Sequence, residues 1–396
     1  MTDDHHTFAG EATAIPPVGG PFAPLPVRHR RWPVVVLIVV IVFAAAVWIA
    51  SRWAVNYYAL TPGDATPVTP LIKVPADLNH PIKGNILLTD VFVTQLNALT
   101  FLQERFFSSV AEVVSSAALL GPATPANEFV DQGFLQMSQA QSYATAAALS
   151  HLGYTVGATN AGALIYGIVP GSPADHVLKV SQVITAINGK AITSACGLVN
   201  GLHGLRAGTA ATITVEQSKI SPTGVFESGP TAQRSVTLGT PPKGLRDTGC
   251  GEPASTPTAY LGIEPQTQQA WNFPVKVHVN TANIGGPSAG LSMTLGIIDK
   301  LSGGKLTGNR IVAATGTIDP QGNVGDVGGV REKTIAVERA GATVFFVPPQ
   351  EVSVAKAKAT PQLHVYGVAT LDQALKILKG LGGTVPANHL PAQAAP

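Results

Sequence analysis

Charged residues are scarce in this chain of 396 residues: they make up 12% of it, whereas apolar residues make up 45%. This balance excludes general disorder, because it provides enough apolar surface for a folded core. The length is sufficient for two or three domains. The net charge is only +2, which gives no reason to expect a nucleic-acid partner.

Cysteine is nearly absent, since the chain contains only Cys196 and Cys250. Two cysteines are too few for a disulfide scaffold, and their surroundings do not resemble a zinc site. We therefore expect neither a metal nor a cofactor. The pair is compatible with one bridge in an oxidising compartment, or with two separate buried thiols.

The N-terminal region predicts a tail followed by a membrane span. Residues 1–31 are rich in proline, glycine, alanine and threonine and predict a disordered cytoplasmic tail. Residues 32–53 contain an apolar run flanked by tryptophans, just long enough to cross a bilayer. Three arginines precede the run and only Arg52 follows, which places the rest of the chain outside the cytoplasm. A cleaved signal peptide is the alternative; the long leader and the absence of a clear cleavage site favour the anchor.

Three further regions are predicted from local patterns. Residues 54–155 form a juxtamembrane region, with proline-punctuated strand-like segments and then two amphipathic helices, Thr94 to Ala118 and Asn127 to Leu152. Residues 241–258, rich in proline and glycine, predict a linker. Residues 383–396 predict a disordered C-terminal tail.

Residues 156–240 predict a separate β module. Alternating apolar residues indicate a strand at Ile165–Val169, and Asn188-Gly189 is typical of a hairpin turn. The stretch IVPGSPADHVLKVSQVITAINGKAI resembles the core of a PDZ domain, although Ser181-Gln182 stand where the family usually has Gly-Asp. The resemblance implies peptide binding by strand addition, in a groove between Ala163–Val169 and a helix at Cys196–Leu205.

Residues 259–382 alternate strand and helix signals and predict an α/β or α+β domain. Within it, Ser288 lies in the sequence GGPSAG, between a strand-like and a helix-like segment. One interpretation is a plain helix start, with glycine at the cap and proline in the first turn. The other is a nucleophile, because the amide groups of a first turn stabilise an oxyanion and the small Ala289 and Gly290 let a substrate approach.

A serine nucleophile needs a base, and the segment Val330 to Ala340 provides a candidate. On a helical wheel of ~100° per residue, one arc is apolar and contains Val330, Ala336, Val337 and Ala340. The opposite arc carries the charged side chains Arg331, Glu332, Glu338 and Arg339. Lys333 falls in the apolar arc, where burial would lower its pKa and fit it to act as a general base. The alternative is a lysine that packs its stem and extends its ammonium to solvent.

Four motifs in this region carry a second resemblance: GGPSAGL, IVAATGTID, GNVGDVGGVREKTIAVERAG and TVFFVP. In this order they resemble the proteolytic domain of Lon-type serine peptidases. The resemblance implies that Ser288 is the nucleophile and Lys333 the general base, that Thr315 lies near this dyad, and that His278 has at most a supporting role. An oxyanion site at the backbone of Ser288 and Ala289 would complete the mechanism.

This sequence departs from the Lon pattern in three respects. Gly285 stands where relatives often carry an acid, and Thr317 stands where a glutamate is usual. We find no Gly-x4-Gly-Lys-Ser/Thr motif, because the residues at 303–306 fail its spacing. The order of anchor, PDZ-like module and Lon-like domain resembles the membrane-anchored, PDZ-containing Lon-like peptidases of bacterial envelopes.

The sequence thus predicts an ATP-independent, single-pass serine endopeptidase whose catalytic domain acts on unfolded polypeptides outside the membrane. In this interpretation the PDZ-like module presents or gates substrate, and the Lon resemblance suggests a ring-shaped homo-oligomer. The alternative is a membrane-tethered PDZ scaffold whose Lon-like domain is inactive.

Overall fold

The computed structural model describes residues 31–108, 110–121, 125–220, 226–245, 250, 257–282 and 284–386. The predicted N-terminal tail, up to residue 30, and most of the predicted C-terminal tail lie outside these residues, as does much of the predicted linker. The chain divides into two compact units, Met1–Ala50 and Ser51–Pro396.

Helices and strands are numbered here in chain order. Within the described residues the helices are α1 (Trp32–Arg52), α2 (Ala98–Phe107), α3 (Ser116–Leu120), α4 (Ala126–His151), α5 (Ala195–Leu202), α6 (Gly290–Leu301), α7 (Val330–Arg339), α8 (Val352–Lys356) and α9 (Leu371–Gly380). The strands are β1 (Ala54–Pro67), β2 (Ile72–Lys73), β3 (Asn85–Asn97), β4 (Glu112–Ser115), β5 (Gly157–Ile168), β6 (Val183–Ile187), β7 (Lys190–Ala191), β8 (Ala210–Ile220), β9 (Phe226–Thr237), β10 (Ile263–Asn272), β11 (His278–Val279), β12 (Ile311–Ala314), β13 (Thr317–Ile318), β14 (Val324–Gly325), β15 (Val344–Val347) and β16 (His364–Gly367).

Helix α1 is the apolar segment predicted to cross a membrane. It has 21 residues and a mean hydropathy of 3.1, and none of its side chains is buried. In the described part of the chain, it is the one helix with the length and composition of a membrane span. These properties fit a single-pass anchor and also a signal sequence.

The first sheet of the second unit, called here the mixed sheet, has six strands in the order β16-β15-β12-β3-β1-β4. The first four strands are parallel, and β1 pairs antiparallel with both β3 and β4. Successive residues of the parallel strands alternate between two cores. One core contains Ile86 and Leu88 with α6 and α9, and the other contains Leu87 with α7 and α8. The sheet is therefore covered on both faces, which confirms the α/β class.

This sheet joins regions that the sequence analysis separated. Strands β1 and β3 were predicted to belong to a juxtamembrane region of their own, but β3 pairs with β12 of the C-terminal domain and β1 joins the same sheet beside β3. The physical reason is that the apolar run Ile86 to Leu88 of β3 is buried on both faces, as a strand inside a covered sheet must be. A local pattern reveals such a strand but not the distant partner with which it pairs.

The second sheet belongs to the predicted β module. It has the order β10-β5-β6-β8-β9, with β7 beside β6, and all its pairings are antiparallel. The turn at Asn188-Gly189 has positive φ at both residues, as a type I′ hairpin requires. Helix α5 packs against β5 and β10, and a disulfide joins Cys196 of this helix to Cys250. We call residues 157–272 the PDZ-like module.

Strand β10 differs from its predicted assignment. It begins beyond residue 259, where the C-terminal domain was expected to start, yet it pairs with β5 along its whole length. Its last residue, Asn272, is the register partner of Gly157, the first residue of β5. The chain thus enters and leaves the PDZ-like module at neighbouring positions. Because β10 lies between β5 and solvent, the free sheet edge beside α5 is that of β10 and not of β5.

The predicted helix from Thr94 to Ala118 is wrong. Strand β3 continues to Asn97, and helix α2 is followed by β4 and the short α3. Asn97 ends the strand by capping α2 reciprocally with Thr100, and the later apolar residues pair with β1 as strand β4. The second predicted helix is confirmed as α4.

Helix α4 belongs to two cores at once. Leu135 packs in the core of the PDZ-like module, together with Ile165 and Ile184. Met137 and Ala140 pack in the core beneath the mixed sheet, with α6. The helix therefore connects the PDZ-like module to the C-terminal domain through packed side chains on different faces.

Candidate active site

Ser288 lies at the entrance to a helix, as the sequence predicted. The segment Pro287–Ala289 forms one 3₁₀ turn and continues directly into α6. The Ser288 side chain is half-buried. A backbone hydrogen bond holds this turn in place, because Gly316 donates its amide hydrogen to the Ser288 carbonyl oxygen at 2.9 Å. Gly290 allows this close packing, since a Cβ there would lie 2.9 Å from the Ile318 nitrogen.

Lys333 is buried, with only 2% of its surface exposed. Its ammonium donates a hydrogen bond to Thr315 Oγ1 at 3.2 Å, and that hydroxyl donates to the Ser288 carbonyl oxygen, also at 3.2 Å. The direction of this chain is fixed, because a carbonyl oxygen can only accept. Thr315 thus connects the serine turn to the lysine and holds Lys333 as a hydrogen-bond donor.

Burial lowers the pKa of Lys333 to about 8, and the negative charges of Asp90 and Glu351 oppose this shift. A lysine with an ordinary pKa near 10.5 would be almost wholly protonated at neutral pH. At a pKa of about 8, a substantial fraction of the side chain is a neutral amine with a free lone pair near pH 8. Such an amine can accept a proton from a hydroxyl group.

Ser288 and Lys333 both line one cavity of about 740 Å³. Much of its wall is apolar and includes Leu71, Phe92, Phe129, Phe134, Met137 and Ile284. The cavity lies between β3, the N-terminal half of α4 and the loop that precedes Ser288. Its size and its lining fit large apolar side chains of a bound molecule.

Asp90 is the residue of this site that the sequence analysis missed. It lies in β3, half-buried, and its carboxylate accepts a hydrogen bond of 2.6 Å from the Asp64 amide. It lines the cavity of Ser288 and Lys333. Burial is the main cause that raises the pKa of Asp90, and the charge of Lys333 lowers it. The available signal was an acid at the end of the buried run Ile86 to Thr89, since an acid there needs a polar or charged neighbour.

The glycine at position 285 also has a structural explanation. Gly286 donates its amide hydrogen to the Gly133 carbonyl oxygen of α4 at 2.7 Å. A Cβ added to Gly285 would lie 3.3 Å from the Gly133 carbonyl carbon. Helix α4 therefore occupies the side of the loop on which an acidic side chain would start, and the carboxylate of this site comes from Asp90 instead.

The remaining predicted residues lie in different places. Ala289 is buried and lines the cavity next to Ser288. His278 is exposed in β11, opposite Lys73 of β2, and does not line the cavity. The strand-like segment that precedes Ser288 in the sequence, Val275 to Val279, forms a strand only at the two residues of β11. Among the described residues no cluster of histidine, cysteine, aspartate and glutamate could hold a metal ion.

The prediction that the charged face of α7 is exposed to solvent is wrong for one residue. Glu332 was expected to face solvent, but it is fully buried, and its carboxylate has no hydrogen-bond partner among the described residues. The reason is that α7 contacts β1, β3 and α8, so more than one face of the helix is covered. Burial raises the pKa of the Glu332 carboxyl.

A known family matches the part of the chain that contains this site. Residues 256–379 match the Lon protease (S16) C-terminal proteolytic domain. This part of the chain is a Lon-type proteolytic domain. The matched range contains Ser288, Thr315 and Lys333. It also contains β10, which pairs in the PDZ-like module, and it leaves out β1 and β3, which complete the sheet of the Lon-type domain.

Similar sequences are Lon proteases of bacteria. The Lon protease of Chloroflexus aggregans is 31% identical over 148 residues, which are 35% of this chain and 18% of that protein. The Lon protease of Malacoplasma penetrans is 32% identical over 162 residues, which are 39% of this chain and 19% of that protein. Lon protease 1 of Bacillus subtilis is 34% identical over 91 residues, which are 23% of this chain and 12% of that protein. The chain spans less than a fifth of the length of these relatives.

Among solved structures, the PDZ domain of an SdrC-like protein from Listeria monocytogenes is similar. The two are 20% identical with a TM-score of 0.20, over 27% of this chain and 90% of that domain. A corresponding domain from Listeria innocua is 18% identical with a TM-score of 0.20, over 26% of this chain and 92% of that domain.

Proposed function

We propose that the protein is a membrane-anchored serine endopeptidase that cleaves unfolded or flexible polypeptides without ATP, with Ser288 as nucleophile and Lys333 as general base. The observation that carries the proposal is the buried Lys333, whose lowered pKa and hydrogen bond to Thr315 fit it to accept a proton in the cavity that Ser288 also lines. The similarity to Lon proteases supports the same reaction.

In the first step the neutral Lys333 amine takes the proton from Ser288 Oγ as the oxygen attacks the peptide carbonyl. Thr315 accepts one N–H of the amine, which leaves the lone pair free for the serine. The resulting ammonium lies near Asp90, whose negative charge stabilises it. Lys333 then donates the proton to the leaving amine, and an acyl-enzyme remains.

The amide groups of Ser288 and Ala289, in the first turn before α6, are the proposed donors to the oxyanion. The Gly286 amide is not one of them, because it already donates to Gly133. In the second step Lys333 takes a proton from water, and the water oxygen attacks the ester carbonyl. The bond between the acyl carbon and Ser288 Oγ breaks, Lys333 returns the proton to Oγ, and the carboxylic acid product leaves.

The apolar cavity suits a substrate segment that is extended and carries large apolar side chains, which a folded protein buries. The PDZ-like module offers a second apolar cavity of about 310 Å³ between α5 and β10, lined by Leu198, Leu202, Leu261 and Ile263. We propose that this groove holds part of the polypeptide and presents or gates the rest. Helix α1 would be the single membrane pass, with the N-terminus in the cytoplasm and the cell envelope as the site of action.

A cleavage assay tests the proposed activity. The full chain in detergent should cleave an unfolded casein-like protein equally well with and without ATP, and should cleave a folded protein of similar size poorly. The products are measured by mass spectrometry. Absence of cleavage, or cleavage that requires ATP, would contradict the proposal; the former would favour the scaffold alternative.

The pH dependence of cleavage tests the role of Asp90. We expect kcat/KM to rise with pH through an apparent pKa of about 8, because only the neutral Lys333 amine accepts a proton. Asp90→Asn should move this rise to lower pH, because it removes the negative charge that most strongly raises the lysine pKa. Asparagine keeps an oxygen that can accept the Asp64 amide hydrogen.

Glu351→Gln is the matched control, since the charge of Glu351 acts on Lys333 in the same direction but less strongly. Its pH profile should shift less than that of Asp90→Asn. An unchanged profile in Asp90→Asn would refute an electrostatic role for Asp90.

A further inference from the structure

Exposed apolar side chains of the second unit cluster near its beginning. Outside α1, the described residues include thirteen large apolar side chains that are exposed, and eight of these lie between Trp53 and Phe107. Four of the eight belong to α2, and Phe106 and Phe107 are 70% and 86% exposed. Such a concentration on a folded domain marks a contact surface.

The exposed residues of α2 form one outward stripe. At ~100° per residue, Leu99, Leu102 and Phe106 fall within about 60° of one another. Phe107 lies about 80° beyond Leu99, with Gln103 between them, whereas Glu104 and Arg105 lie outside this wider arc. Phe101, on the opposite side, packs against Tyr57 in a tilted arrangement with ring centres 4.7 Å apart, which holds α2 on strand β1. The stripe is therefore held facing outward.

Helix α2 lies close to the end of the apolar helix α1, which bears on what contacts this stripe. The Ala98 amide donates a hydrogen bond of 2.9 Å to the Trp53 carbonyl oxygen, and Asn97 pairs with Ala54. Trp53 directly follows the apolar helix α1 in sequence. The first turn of α2 is thus fixed at the point where the chain would leave a bilayer.

We propose that α2 is an interfacial helix, whose stripe of Leu99, Leu102, Phe106 and Phe107 inserts into the headgroup region of the outer leaflet. The inference rests on the proposed membrane anchor. Leucine and phenylalanine on one face are typical of helices that lie in this region. Glu104 and Arg105 cancel in charge, so the interaction is with the apolar part of the interface and does not need anionic lipids.

This placement also concerns the active site. Phe92 and Val93 of β3 line the cavity of Ser288 and are exposed. Val93 lies four residues before the end of β3 at Asn97, about 13 Å at ~3.3 Å per residue. If α2 lies on the lipid surface, the wall of the cavity formed by β3 begins about 13 Å along the strand from the membrane. Polypeptide segments that emerge from the same bilayer can reach the cavity at this distance.

Lipid quenching of a label on α2 tests the proposal. Phe106→Cys provides the one free thiol, since Cys196 and Cys250 are paired, and it is labelled with bimane. The full chain is reconstituted into phosphatidylcholine vesicles with and without phosphatidylglycerol, each containing lipids with a nitroxide near the headgroup. We expect quenching several times stronger than for Val354→Cys, an exposed valine of α8, and equal in both lipid mixtures.

Flotation of the same vesicles separates the two proposals. If the chain floats with the vesicles but the label at position 106 is quenched no more than that at 354, the interfacial helix is refuted and the anchor stands. If the chain does not float, both fail. Adding Leu102→Glu should reduce quenching at 106 without affecting flotation. A label that becomes shielded in detergent as protein concentration rises would instead assign the stripe to a second copy of the chain.

Discussion

Replacing Ser288 with alanine is expected to reduce kcat/KM for an unfolded substrate by about 10⁴-fold or more, as removal of a serine nucleophile does in other peptidases. The substitution removes one oxygen from a half-buried side chain, and the contacts that hold the turn involve the backbone carbonyl, not the hydroxyl. The fold should therefore be unchanged. Steady-state cleavage measures the loss, and thermal unfolding checks the fold.

Ser302→Ala, at the other end of α6, is the matched control and should retain full activity. A fluorophosphonate probe adds a second measurement, because it should label the unmodified protein and Ser302→Ala but not Ser288→Ala. Residual cleavage within tenfold of the unmodified protein in Ser288→Ala would show that another nucleophile performs the reaction.

Lys333→Met is expected to abolish cleavage and, at the same time, to stabilise the protein. Methionine cannot accept a proton, but its shape suits the buried position. The pKa of Lys333 falls from 10.5 to about 8 on folding, so at pH 7 the folded state holds a charge that burial disfavours. The difference corresponds to about 3 kcal/mol at most, and a gain of about 1–3 kcal/mol is expected.

The pH dependence gives this prediction a distinct signature. Because the folded pKa lies below the unfolded value, the burial cost is fully present below pH 8 and disappears as pH rises from 8 to 10.5. The stability difference between Lys333→Met and the unmodified protein should therefore shrink over that range. Chemical denaturation at several pH values measures it, with the exposed Lys356→Met as a control that should change neither stability nor cleavage.

Lys333→Arg separates charge from proton transfer. Arginine keeps the positive charge but does not lose its proton at these pH values, so this variant should be as inactive as Lys333→Met. An active Lys333→Arg protein would exclude the general-base role.

The local parts of the site could be predicted from the sequence, because they depend on short patterns. The helix start at Ser288 follows from glycine and proline at fixed positions, and the burial of Lys333 follows from helical periodicity. Asp90 could not be found in this way. It reaches the cavity through the pairing of β3 with β12, and the two strands are more than 200 residues apart in the chain.

The failures elsewhere have the same origin. Glu332 is buried because α7 is covered by elements from distant parts of the sequence. Strand β10 joins the PDZ-like module although a linker-like segment precedes it, because its partner β5 offers a full-length edge. In each case a tertiary pairing decides the position, and local propensity carries no information about it.

The neighbouring ends of the PDZ-like module have an evolutionary consequence. Gly157 and Asn272 are register partners, so a turn of a few residues would suffice to close the chain if the module were lost. Every strand of the sheet that contains β3 and β12 lies outside the interval between them. A recombination event could thus insert, exchange or remove the PDZ-like module in a single step and leave the other sheet continuous. Leu135 of α4 lies outside the module but packs in its core, so it would need a replacement partner.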